Sequence, residues 1–356
     1  MKKNKTLLIH CLLIFTLLLL APVSNAQYDG SFAGMYFSRA ISAQSDALGM
    51  TRSTMPDKAF TVHNNSALLG FQDGYSASYS RSSKLYLVNE SNFQYVGLAG
   101  RITNRFAAGI SHLRFNLMDS DYESISTLAL VYKLTDFISL GANARQISID
   151  YSNLSGSSIV PIEYPIKQLY FDVTSGVIIP IEISGTLNSE LKMGLTLGNI
   201  LGQSLEIDGI DMEVELPSVA VLGMQGHVTL PGVESSFFAE TISLDAVIEL
   251  QEVFNYDYFS RLSVGFQVGL NELIFLRGGY YYQNIDDFDD PDSKSAFNEF
   301  TYGVGVNIPF SKLLQTQTDI RLSMNYVNMQ QPLFTKSNPF DIGRYSTFNI
   351  SLSITL

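Results

Sequence analysis

In FNISLSITL, residues 348–356, every second position is apolar (Phe348, Ile350, Leu352, Ile354, Leu356), and Asn349, Ser351, Ser353 and Thr355 stand between them. Strand side chains alternate between two faces, so the pattern predicts a strand with one apolar and one polar side. The same division recurs upstream. Phe300, Tyr302, Val304, Val306 and Ile308 oppose Thr301, Gly303, Gly305 and Asn307, and Leu262, Val264, Phe266, Val268 and Leu270 oppose Ser263, Gly265, Gln267 and Gly269. In residues 319–326, Ile320, Leu322, Met324 and Tyr326 oppose Asp319, Arg321, Ser323 and Asn325. The second face is too polar for the core of a sandwich. It suits a strand that meets lipid on one side and a polar lumen on the other.

Such segments number about fourteen: residues 74–82, 92–102, 105–116, 122–134, 137–151, 166–179, 189–199, 216–229, 233–247, 258–270, 272–283, 298–310, 315–327 and 346–356. Their connections alternate in length. Thr103-Asn104, Thr135-Asp136, Pro231-Gly232, Asn271 and the residues around Lys312 read as tight turns, whereas 152–164, 200–215, 248–257, 284–297 and 328–345 read as long loops. Bacterial outer-membrane barrels carry short turns on the periplasmic side and long loops outside. An even strand count also brings the last strand beside the first, leaving no edge unpaired in lipid. The expected fold is all-β, a transmembrane antiparallel β-barrel of the outer membrane over residues 74–356. Aromatic residues near strand ends, among them Phe106, Phe137, Tyr281, Tyr282, Tyr326 and Phe348, are expected in interfacial girdles.

Residues 27–73 do not alternate and read as short helices and turns. A barrel of this size has a lumen to fill, so this segment is expected to fold into it as an N-terminal hatch, with lumen-face glycines leaving room. Ahead of it, a basic start (Lys2, Lys3, Lys5), an apolar run over residues 7–21 and the small residues Ser24, Asn25 and Ala26 predict a signal peptide over residues 1–26. The one cysteine, Cys11, falls in that leader. Disulfides, thiolate chemistry and cysteine metal ligands are therefore not expected in the exported chain. Loss of the three leader lysines takes Lys+Arg from 22 to 19 against 34 Asp+Glu, a net charge of about −15. Nucleic acid, held mainly by basic side chains on phosphate, is excluded as a partner.

The order of SDALGM (residues 45–50), HNNSALLGF (63–71), GLTLGNILG (194–202), LPSVAVLGM (216–224) and FLRGGYYY (275–282) resembles the PorV/PorQ group of Bacteroidota outer-membrane proteins, relatives of the FadL long-chain fatty-acid transporters. The resemblance implies a fourteen-stranded barrel with an N-terminal segment in its lumen. It also implies one of two jobs: an accessory barrel that docks a type IX secretion translocon or its cargo, or a FadL-like passage for a hydrophobic small-molecule ligand. The accessory role is the leading expectation. In the hatch-to-barrel turn, Asn65, Ser66 and Ala67 stand where the group commonly has Asn-Pro-Ala, so the rigid proline is lost.

Arg145, Arg277, Asp319 and Arg321 fall on the lumen face. They are expected to fix the hatch through ion pairs, or to hold an anionic headgroup. The acidic loops containing Glu206, Asp208, Asp211 and Glu213, and Asp286, Asp287, Asp289 and Asp290, are candidate partner-facing surfaces. The second loop lacks the central glycine and terminal glutamate of a helical calcium loop and reads as solvated. His63, His112 and His227 show no zinc spacing, and no serine sits in a nucleophile elbow. No catalytic site, metal or cofactor is expected, and the surrounding partner is outer-membrane lipid.

Overall fold

The computed structural model describes residues 40–355 except 84–90, 117–120, 153–164, 185–186, 208–211, 232–240, 255–259, 287–293, 311–317 and 331–343. The leader expected over 1–26 and residues 27–39 of the expected hatch lie outside the described residues.

Strands β1 (Tyr75–Ser83), β2 (Asn92–Arg101), β3 (Phe106–Asn116), β4 (Tyr122–Lys133) and β5 (Ile138–Asp150) lengthen step by step along the wall. They are followed by β6 (Ile166–Ser184) and β7 (Leu187–Gly198), then by a separate small hairpin of β8 (Ser204–Ile207) and β9 (Met212–Glu215). The wall is completed by β10 (Val219–Pro231), β11 (Thr241–Val253), β12 (Arg261–Leu270), β13 (Ile274–Asp286), β14 (Lys294–Pro309), β15 (Asp319–Gln330) and β16 (Arg344–Thr355). β7 pairs with β10, and β16 returns to β1 with Tyr75 opposite Ile354 and Ser83 opposite Ser346. The fourteen wall strands form one closed antiparallel barrel, the architecture expected from the alternation.

The two faces separate as their side chains demand. Phe300 is 71% exposed and Phe266 63%, both on the outside, while Asn349 and Thr347 inside are 0% exposed. Outward apolar residues this exposed are stable only against lipid, which makes the wall a transmembrane one. Among the described residues no helix is long and apolar enough to cross a membrane.

Five features depart from expectation. The eleventh strand runs Thr241–Val253 rather than 233–247, so the loop expected at 248–257 is strand as far as Val253. Glu249 and Gln251 mark that region as polar, yet both point inward and are buried. The Pro231-Gly232 turn is not seen: Pro231 ends β10, and residues 232–240 lie outside the described residues. The sixth strand continues past Pro180 to Ser184, with the proline close to a shift of register between Glu182 and Ser184. Asp286, expected in a loop, ends β13 opposite Lys294. Tyr281 faces the lumen and is fully buried, so it is no part of an outer girdle.

Inside the wall, residues 40–73, the described part of the expected hatch, form short pieces. Helix α1 (Ala43–Ala47) is capped by Ser42 Oγ, which accepts from Ser45 N at 3.1 Å. A 3₁₀ turn (Lys58–Phe60), helix α2 (Thr61–Asn64) and a second 3₁₀ turn (Ser66–Phe71) follow. Helices this short do not stand alone in water, so the wall holds them. Two lumen-face glycines show how closely. A Cβ on Gly194 would overlap the Ser53 carbonyl, and one on Gly279 would overlap the Gly49 amide, itself at φ 74° where a side chain is strained.

Candidate functional site

The seam between hatch and wall mixes apolar packing, as of Val62 and Leu69 against Ala107 and Val131, with hydrogen bonds whose partners come from strands far away in sequence. On β11, Glu249 Oε2 accepts from Arg52 N at 2.8 Å, Ser53 N at 2.7 Å and Ser53 Oγ at 2.6 Å. On β16, Thr347 Oγ1 donates to Asp46 Oδ2 at 2.9 Å, and the Ala43 amide donates to Asn349 Oδ1 at 3.1 Å. On β14, Thr301 Oγ1 accepts from Gly49 N at 3.0 Å and donates to Ala47 O at 2.9 Å. Beside β6, Asn65 Nδ2 donates to Ser53 O at 2.7 Å and to Ser175 O at 3.0 Å. Burial makes each such bond costly to leave unmade.

Asn65, Ser66 and Ala67 lie within the hatch rather than at the turn into β1. Asn65 Oδ1 caps the second 3₁₀ turn by accepting from Ala67 N at 3.2 Å. Ser66 Oγ lies 2.9 Å from Thr174 Oγ1, and Ser139 Oγ donates to Ala67 O at 2.5 Å. A hydrogen bond to the wall stands where proline would supply rigidity.

The four lumen charges divide. Arg145 is buried, ion-paired with Asp172, and donates from Nη2 to His63 O of the hatch at 2.7 Å. Arg277 donates to Gln267 Oε1 at 2.6 Å and Asn325 Oδ1 at 2.7 Å, and reaches Gln44 Oε1 of the hatch at 3.3 Å. Arg321 and Asp319 are at the start of β15, joined to each other at 2.8 Å, with Arg321 also 3.0 Å from Glu272. That pair braces the rim. Asp172, Glu249 and Asp46 were missed as site residues, although Asp172 and Glu249 each occupy the polar face of an alternating strand.

Between the hatch and β5–β7, Arg52, Arg145, Tyr170, Asp172, Thr196 and Asn199 surround a cavity of about 50 Å³. That volume holds a water or two and no organic ligand. Burial pulls the Arg52 guanidinium down to about 10 against the opposing pull of Glu249. Deeper in the hatch, burial pushes the Asp57 carboxyl up from 3.8, and its Oδ2 has no hydrogen-bond partner among the described residues.

The lumen wall is patchy. Near the outer ends of β2–β5 and β15 it carries an apolar, aromatic patch, Phe93 and Phe115 with rings 4.7 Å apart, Leu113, Ile125, Ile147, Val327 and Met329, all buried, while Glu123, Gln251, Arg261 and Gln283 are buried at a similar level. Toward the opposite strand ends it is polar on β10–β13 and β15, with Gln225, Asp245, Gln267, Arg277, Ser323 and Asn325, and apolar on β2–β4, with Ala99, Ala107, Ala129 and Val131. There Asp245 accepts from Gln225 and Gln267 and lies 2.8 Å from His227 Nδ1.

The remaining candidates scatter. Glu206 is exposed on β8, with Glu213 its register partner on β9, while Asp208, Asp211, Asp287, Asp289 and Asp290 lie outside the described residues. His63 contacts Arg145, and His112 contacts Ser126 on the outer wall. Among the described residues no group of His, Cys, Asp and Glu is placed to hold a metal.

A closed wall with an apolar exterior and a hatch hydrogen-bonded into its lumen defines a plugged transmembrane β-barrel. No protein-family model matches the chain, and no curated protein matches it in sequence. Among solved structures it is similar to a Pseudomonas aeruginosa FadL homologue, at a TM-score of 0.43 and 12% identity over 88% of this chain and 97% of that one. It is also similar to the CymD monoaromatic hydrocarbon channel (TM-score 0.42, 12% identity, 91% and 98%) and the Ralstonia pickettii toluene transporter TbuX (TM-score 0.40, 12% identity, 89% and 98%).

Proposed function

We propose that this chain is an outer-membrane channel for small hydrophobic molecules, closed at rest by its hatch. One observation carries the reading. The outer lumen wall carries a buried apolar and aromatic patch on β2–β5 and β15, whereas a water-filled channel needs a polar lining. Such a surface suits a hydrophobic solute arriving from outside. The hatch covers that patch, with Ile41, Met50 and Phe60 in the same cluster as Phe93 and Phe115. Its seam combines apolar contacts with hydrogen bonds, and water replaces the hydrogen bonds when the hatch lifts. No enzymatic step is part of this reading.

A second reading is favoured by the closeness of the plug, which leaves a cavity of only about 50 Å³ at the hatch. A barrel that never opens would act through its outer loops, as an accessory barrel docking a type IX translocon or its secreted cargo. The resemblance of the residues to the PorV/PorQ group supports that role.

Uptake of a labelled hydrophobic solute by cells with and without the chain separates the two. Transport predicts faster uptake with the chain, lost in a Phe93→Gln, Phe115→Gln variant that makes the outer lumen polar. Equal uptake in all three strains leaves the docking reading.

A further inference from the structure

On the outside of β1–β6 the side chains fall into three cross-strand rows that change chemistry in order. The outermost joins Arg81, Gln94, Arg114, Ser124, Ser148 and Lys167, each the register partner of the next. It runs two residues short of the outer strand ends in β1–β5 and one in β6. The row below joins Tyr79, Val96, His112, Ser126, Gln146 and Leu169, and the one below that contains Leu98, Ile110, Leu128 and Phe171. Rows follow each other at about 7 Å, two residues of strand rise.

We infer that this wall is a binding site for an anionic phosphorylated lipid of the surrounding membrane. The order of rows matches such a molecule from head to tail: cations for the phosphate, neutral polar groups for the ester level, apolar side chains for the acyl chain. Three cations with no acid among them stand out on a chain with 34 acidic and 22 basic residues. Arg81 and Lys167 are exposed, and none of the three forms an ion pair with a carboxylate among the described residues. Arg114 lies 4.0 Å over the Tyr122 ring and donates to Asn116 Oδ1 at 2.7 Å, contacts that hold its guanidinium at the rim. Among the described residues the next row outward holds one acid, Asp150, which accepts from Ser152 N at 3.2 Å.

The occupant's tail has a place as well. A groove of about 560 Å³ opens on this wall, with Leu98, Ile110, Leu128 and Leu169 at its sides and Gly97 and Ala144 at its floor. His112 Nδ1 and Ser126 Oγ meet at 3.0 Å within it, so part of the polar demand in the middle row is met internally. Gln146 remains to meet an ester carbonyl. Basic side chains at a membrane interface attract anionic lipid at about 1 kcal/mol each, about fivefold per residue.

The test is native mass spectrometry of the full-length barrel released from nanodiscs made of equal phosphatidylglycerol and phosphatidylcholine. The wild type is expected to retain phosphatidylglycerol in preference by about tenfold or more. An Arg81→Gln, Arg114→Gln, Lys167→Gln variant is expected to lose the preference, while Arg101→Gln, Arg105→Gln, Lys133→Gln, which also removes three charges, at the other end of the barrel, keeps it. Equal retention of both lipids by the wild type overturns the inference without any variant. Equal loss in the two variants also overturns it, since the effect then follows net charge and not this wall.

Discussion

Glu249 grips Ser53 at two points, its Oε2 2.7 Å from the Ser53 amide and 2.6 Å from Ser53 Oγ. A wall carboxylate thus satisfies the hatch backbone where the chain turns inside the lumen. Hydrogen bonds to a charged group contribute about 1.5–3 kcal/mol each. Glu249→Gln keeps the shape and removes the charge. Amide exchange at residues 50–55 is expected to speed up by about tenfold or more, with strand amides unchanged. Unchanged exchange at residues 50–55 would show that Glu249 does not latch the hatch.

Gly194→Ala places a methyl group against the Ser53 carbonyl, whereas Gly226→Ala meets nothing within 4 Å. The first is expected to loosen the hatch while the barrel still folds, and the second to change nothing. Heat-modifiable gel mobility reports the barrel, and limited proteolysis within residues 40–73 reports the hatch. A protected hatch in the Gly194 variant would contradict the close approach.

Asp57 gives the hatch a dependence on pH. Burial raises its carboxyl above 3.8, opposed by a Ser42 hydrogen bond and by the charges of Arg277 and Lys58. A group whose folded value is raised binds more protons when the hatch is seated. Its contribution is present in full below 3.8 and is lost as pH rises through the raised value. The Lys58 amine, lowered from 10.5 chiefly by burial, acts in the opposite sense on the alkaline side. Hatch proteolysis is therefore expected to accelerate from acid toward neutral pH in the wild type, and to flatten in Asp57→Asn. Equal slopes in the two would remove Asp57 from the account.

The wall was legible because lipid and lumen impose opposite demands on neighbouring residues. Phe348 to Thr355 states that demand without exception, and the closed fourteen-stranded barrel follows. Where a polar face also meets the hatch, the signal became ambiguous. Glu249 and Gln251 read as the start of a loop, because nothing local says that a buried partner waits for them. Tyr281 shows the converse: an aromatic near a strand end suits a girdle equally well until the register turns it inward. The pairing of Arg145 with Asp172 joins neighbouring strands, but the contact of Arg145 with His63 spans 82 residues and depends on how the hatch folds. That packing is set by shape across the lumen, which a period of two does not encode.

The central claim is that the hatch must move for a solute to pass. Ser66 Oγ and Thr174 Oγ1, 2.9 Å apart, join the hatch to β6, and replacing both with cysteine puts the two sulfurs within reach of a disulfide. The chain's only native cysteine is Cys11 in the expected leader, so the new pair has no competitor in the exported protein. Uptake of a labelled hydrophobic solute should be measured in cells carrying the Ser66→Cys, Thr174→Cys variant, before and after reduction. The account predicts that uptake stops while the disulfide is closed and returns when it is reduced. Uptake that is the same in both states would contradict a moving hatch.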